Sequence, residues 1–131
     1  MTRLLLDTSV LVPLAQRRLE TLPTDMVDAL RAPSTATYVS VASLWEIAIK
    51  HRLGKLPLAD PLEKLLEAVA TGRIGILDIT PEHAFVEAQP VPATRDPFDR
   101  LLLAVCAVEG LRLLTTDRAL AAHPLSWRPA V

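Results

Sequence analysis

Three times in this chain a residue that can cap a helix stands directly before a proline: Asp60-Pro61, Thr80-Pro81 and Asp96-Pro97. Proline suits the first helical position, because its φ is already helical and the amide it lacks would have no partner there. The residue before it can accept from the free amides that follow. The device fixes where helices start, so the apolar runs between those starts must be something else. Arg3 to Leu6, TYVSV at 37–41, IGILDI at 74–79 and LRLLTT at 111–116 have strand length and strand composition. Strands alternating with helices imply an α/β fold: a central, largely parallel sheet flanked by helices on both faces. At 131 residues the chain is expected to form a single domain over 1–131.

The remaining helices follow from periodicity and stops. VLVPLAQ opens one after Thr8 and Ser9, with Ser9 as its cap and Pro13 in its first turns. Thr24 is expected to cap a helix over 25–31. ASLWEIAIKHRLG carries Leu44, Ile47, Ala48 and His51 at helical spacing and stops at Gly54. After Asp60-Pro61, the positions Leu62, Leu65, Leu66 and Val69 form one apolar stripe, ended by Gly72. Pro90 and Pro92 enforce a loop, and Asp96-Pro97 starts a helix that runs to Glu109 before Gly110. A short helix after Asp117 and a last strand near Trp127 complete the order.

Several function classes are disfavoured at once. The longest apolar run, Leu101 to Val108, is far below the ~20 residues of a membrane span. Asp7 interrupts the leucines at the start, so that segment reads as a strand and not as a signal peptide. Cys106 is the lone cysteine, which points to a reducing compartment, with cytoplasm as the expectation. A formal charge of −1 gives no general field for a polyanion, so any nucleic acid must be held locally. His51, His83 and His123 lack zinc-site spacing, and Gly72 and Gly75 fit no phosphate loop.

Acids, by contrast, fall where ligands bind in such sheets, at the carboxyl ends of the strands. Asp7 follows the first strand, Glu46 lies early in the helix after the second, Asp99 lies early in a later helix, and Asp117 follows the fourth strand. Carboxylates gathered closely repel unless a cation joins them. An all-oxygen set without thiolate or imidazole suits Mg2+ or Mn2+, which accept phosphate oxygens as further ligands, and phosphoester hydrolysis is the matching chemistry. Each acid also has a structural reading. Ser43-x-x-Glu46 is a capping-box pattern and Glu46 can pair with Lys50; Asp99 can answer the helix dipole, and Asp117 can cap the last helix. Asp7 resists such a reading, since a carboxylate behind a buried strand costs several kcal/mol unless it is paired.

Taken together, LLLDTSVLVPLA, VSVASLWEIAIKHRLGKLPL and RDPFDRLLLAVCAVEGLRLLTTD resemble the PIN-domain ribonucleases, and within them the VapC-like toxins of toxin–antitoxin pairs. The resemblance implies a PIN-like sandwich and a Mg2+- or Mn2+-dependent endoribonuclease. Asp7, Glu46, Asp99 and Asp117 are its acids, Ser9 and Thr116 its supporting hydroxyls, and Lys50, Arg52, Lys55, Arg95 and Arg100 its phosphate contacts. It also implies a cognate antitoxin and a homodimer, with apolar surface on the early helices burying either the homodimer contact or the antitoxin segment. Within RDPFDR the division of labour is a capping Asp96 and a ligand Asp99. Trp45 can stack on a base, although a tryptophan on a half-apolar helix is more often core. Two rivals stand beside this reading: a receiver-like phosphoacceptor, for which LLTTD lacks the lysine, and a degenerate PIN scaffold that binds without cutting.

Overall fold

The computed structural model describes residues 1–129. Four strands form one sheet in the order β3-β2-β1-β4 and all neighbours are parallel: β1 (Thr2–Leu6), β2 (Thr35–Ser40), β3 (Gly75–Leu77) and β4 (Arg112–Leu114). Parallel neighbours need crossovers, and helices supply them: α1 (Thr8–Ala15), α2 (Thr24–Arg31), α3 (Val41–Arg52), α4 (Glu63–Thr71), α5 (Pro81–Phe85), α6 (Pro97–Glu109) and α7 (Arg118–Ala121), with a 3₁₀ turn at Leu19–Thr21.

The central strand explains the LLL run. Leu4 and Leu6 face one core with Val10, Leu11, Val39, Ile47 and Val69, while Leu5 faces the other with Leu102, Leu103, Leu113 and Leu120. All three leucines are fully buried, each contributing about 1.5–3 kcal/mol by removal from water. Register then sets the site: Leu6 pairs with Leu114, so the residues that follow β1 and β4 emerge side by side. Among the described residues no helix is long and apolar enough to cross a membrane.

Local starts and stops depart from the sequence reading in places. Asp96 and Thr80 cap as expected: Asp96 Oδ1 accepts from the amides of Phe98 and Asp99, and Thr80 forms a capping box with His83. Asp60 makes no such bond. The turn before α4 is held by Lys64 N to Pro61 O and Leu65 N to Leu62 O, a tighter 3₁₀-type pattern that leaves the Asp60 side chain out. Leu66 is exposed, so the α4 stripe is narrower than predicted. Thr24 is the first residue of α2 and makes no side-chain cap, and the cap position of α1 belongs to Asp7, not Ser9. Ser40 caps α3, accepting from Ala42 N, so the predicted Ser43 box does not form; Ser43 Oγ is buried without a partner among the described residues. Near Trp127 the described residues form one parallel bridge, Leu113 to Ser126, in place of the predicted strand. Gly110 takes the left-handed conformation that ends α6, at φ 69°.

Candidate active site

At the carboxyl ends of β1 and β4, hydroxyls surround Asp7. Ser9 Oγ donates to Asp7 Oδ2 at 3.0 Å and Thr115 Oγ1 donates to the same oxygen at 2.7 Å, and the residue is 6 % exposed. These bonds offset the desolvation of a carboxylate that forms no ion pair among the described residues. The backbone is stitched across the same gap: Thr116 N donates to Ser9 Oγ and Asp117 N to Thr115 Oγ1, both at 3.1 Å. Thr116 itself is exposed, so the support predicted for its hydroxyl comes from Thr115, and only the Thr116 amide takes part.

Glu46 enters from the second turn of α3 and is equally buried. Thr8 Oγ1 donates to its Oε1 at 2.6 Å and Lys50 Nζ to its Oε2 at 2.9 Å. The expected pair with Lys50 therefore forms. The hydrogen bond to Glu46 holds the Lys50 ammonium above its ordinary pKa against its partial burial, aided by the charges of Glu46, Asp96 and Asp99.

Asp99, in the first turn of α6, accepts from Thr94 Oγ1 at 3.3 Å. Its carboxyl is pushed up to about 6 by burial first, and then by the charges of Asp96, Asp7 and Glu46. Asp7, Glu46 and Asp99 thus share one electrostatic neighbourhood although they come from three separate elements. Asp117 is exposed and reaches this group through its amide on Thr115, while its Oδ1 accepts from Leu120 N at 3.1 Å as the cap of α7.

The predicted basic rim divides. Arg52, Lys55 and Arg95 are exposed and Lys50 is half-exposed. Arg100 is committed to the preceding loop: its Nε donates to Thr94 O, Nη2 to Pro92 O and Nη1 to Glu87. It secures the segment that carries Thr94 and is removed from the set of free phosphate contacts. Trp45 is not core: it is exposed and packs edge-to-face on Phe98.

A family model described as the PIN domain matches residues 4–124. The chain belongs to the PIN-domain family. A solved toxin–antitoxin complex from Klebsiella pneumoniae contains a chain of the same fold, at a TM-score of 0.56 and 17 % identity, over 96 % of this chain and 97 % of that one. No curated protein matches the sequence. The receiver-like alternative falls with the family assignment.

The donor chemistry of this PIN domain fits a hard divalent cation. Asp7, Glu46 and Asp99 are oxygen donors, and burial followed by the charges of Asp96, Asp7 and Glu46 lifts the Asp99 pKa, a strain that a cation would relieve. As they stand, no three of the described acidic, histidine or cysteine side chains are close enough to grip an ion together. Glu46 is turned to Thr8 and Lys50, and Asp7 to Ser9 and Thr115. Magnesium tolerates such spacing, since it keeps several waters and takes only one or two carboxylates directly. Thr8, Thr94 and Thr115 are the site residues that sequence reasoning missed. The signal for Thr115 lay in register: it follows Leu114 as Asp7 follows Leu6.

Proposed function

We propose that this PIN domain is a Mg2+- or Mn2+-dependent endoribonuclease and the toxin of a toxin–antitoxin pair, acting in the cytoplasm. The observation that supports the reading is that Asp7, directly after β1, Glu46 on α3 and Asp99 on α6 are linked through their neighbours: Thr8 beside Asp7 bonds to Glu46, and Trp45 beside Glu46 packs on Phe98 beside Asp99. Asp7, Glu46 and Asp99 would hold the ion, with the exposed Asp117 as the fourth acid. When bound, it supplies a water of lowered pKa for attack on phosphorus and offsets the charge that develops on the departing oxygen.

The protein's own contribution is orientation and charge. Ser9 and Thr115 fix one oxygen of Asp7, leaving Oδ1 without a protein partner among the described residues. Thr8 holds one oxygen of Glu46 and Lys50 the other, so Glu46 is aimed and half-neutralised before substrate arrives. Lys50, Arg52, Lys55 and Arg95 furnish the local cations that a chain of net charge −1 needs to hold RNA.

A partner surface is also at hand. A groove of about 640 Å³ lies beside α1, α2 and α4, with Leu14, Leu30 and Leu65 in its lining together with the charged Arg17, Lys64 and Glu67. It suits an antitoxin segment or a second copy of the chain. The deciding experiment incubates the pure protein with RNA in magnesium or manganese, with EDTA, and as Asp7→Asn. Cleavage that needs metal and disappears in a folded Asp7→Asn variant supports the reading. Cleavage undiminished in that variant removes the acid site. A parent that binds no metal in a calorimetric titration and cuts nothing is the degenerate scaffold.

A further inference from the structure

We propose that Trp45 is a substrate-binding residue: its indole, steadied by Phe98 at the lip of the acid cluster, stacks on an unpaired base of the nucleic acid held there. The inference deepens the nuclease reading and rests on it.

Trp45 is 58 % exposed, an unusual state for the largest apolar side chain when half the chain's residues are apolar and a core is close by. Its neighbours in α3 show that this is not fraying: Glu46 and Ile47, which follow it, are buried. The ring is also not free. It meets Phe98 with centroids 5.8 Å apart and planes at 60°, an edge-to-face contact that orders the indole while leaving surface open. A ring ordered in advance loses little side-chain entropy on binding.

Position gives the pair its meaning. Trp45 immediately precedes Glu46 on α3, and Phe98 immediately precedes Asp99 on α6, so the aromatic contact spans the two helices that bring in those acids. Lys50 lies a turn beyond Glu46, and Arg95 is exposed just ahead of α6. A flat apolar surface, cations and a carboxylate cluster within one seam match the parts of a single-stranded nucleotide: base, phosphate and the ion that accompanies the phosphate. Duplex would not serve, because its bases are already stacked and paired.

The test uses the full chain carrying Trp127→Phe, which makes Trp45 the sole tryptophan. In EDTA its fluorescence is followed while a short single-stranded adenylate oligomer is added, and separately an abasic oligomer of equal length and charge. The expected result is quenching by the adenylate oligomer, with affinity at least about fivefold above the abasic one, the lower end of what one stacked base contributes. Trp45→Ala should lose that preference in a direct binding assay, and Trp45→Tyr should retain most of it. In cleavage assays Trp45→Ala should raise KM by roughly five- to a hundredfold with a smaller change in kcat. Equal affinity for the two oligomers overturns the proposal, as does a Trp45→Ala variant with unaltered KM. A parent that prefers bases through Trp45 but never cleaves would defeat the nuclease reading and leave this one standing. A parent that cleaves with no dependence on Trp45 does the reverse.

Discussion

Burial and the charges of Asp96, Asp7 and Glu46 push the Asp99 carboxyl up to about 6, and the sign of that shift says what removing it does. The unfolded chain loses this proton near 3.9, so between the two values the fold holds a proton that the unfolded chain has released. The stabilising contribution is therefore complete below about 4 and is lost as pH rises through about 6. At neutral pH, without divalent metal, an ionised Asp99 is a burden. Asp99→Asn should then raise the melting temperature by roughly a few degrees, a gain that shrinks toward acid, while cleavage disappears. Melting curves across pH, beside cleavage assays, check both halves; a variant less stable than the parent at neutral pH would contradict the electrostatic account. In the parent at low metal concentration, cleavage should rise as pH passes about 6, because the ion must displace a proton from Asp99, and the midpoint should move to lower pH as metal is added.

The paired threonines of LLTTD permit a second comparison between single side chains. Thr115→Val keeps the shape but deprives Asp7 Oδ2 of its shorter hydrogen bond and Asp117 N of its acceptor. Asp7 is buried, so the loss of its hydrogen bond should cost about 1–3 kcal/mol and most of the activity, with the amide of the exposed Asp117 adding little. Thr116→Val touches an exposed hydroxyl and should stay within about 0.5 kcal/mol. Urea denaturation of the two variants distinguishes them, and equal costs would mean that the Thr115 hydroxyl does not hold Asp7.

Among the elements, the helix starts show how far local sequence reaches. Asp60-Pro61 and Asp96-Pro97 are the same dipeptide, yet only Asp96 turns its carboxylate back onto the helix amides. The difference lies in the turn that follows, 3₁₀-like at Pro61 and α-helical from Pro97, and that choice depends on how Leu62 and Leu65 meet the core. Asp96→Ala should accordingly cost about 1 kcal/mol and loosen the turn that carries Asp99, whereas Asp96→Ser should restore most of it. Asp60→Ala should change stability by less than about 0.5 kcal/mol. Thermal or chemical unfolding of the three variants provides the check. The Ser43 box failed for a related reason: strand β2 ends at Ser40, so α3 begins earlier than the motif implies and Ser43 lies within it. The alternation of strands with helices along the chain and the stops at Gly54, Gly72 and Gly110 were readable, because each follows from periodicity or backbone freedom; the order of the strands in the sheet was not. Which hydroxyl meets which acid was not, because it depends on the register between β1 and β4, which are joined by over a hundred residues of chain.

For the molecule as a whole, a net charge of −1 means that RNA affinity must rest on a few placed cations, and salt dependence counts them. Each phosphate neutralised on a single strand lowers the slope of log K against log salt by about 0.7. If Lys50, Arg52, Lys55 and Arg95 are the contacts, the slope should be close to −3, by about four contacts at that increment. Lys55→Gln should make it shallower by about 0.7 and weaken binding to all sequences alike. Arg100→Gln should leave the slope unchanged, because its guanidinium is already spent on Thr94, Pro92 and Glu87, and should instead lower stability and disturb the loop that bears Thr94. Binding of an uncleaved oligomer at several salt concentrations, in EDTA, reads both variants. A slope near zero in the parent would mean that these side chains do not hold phosphate. A slope that Arg100→Gln reduces as much as Lys55→Gln does would mean that RNA draws the guanidinium away from its loop. In that case binding would remodel the 92–94 segment, and Asp99 would lose its Thr94 partner as substrate arrives.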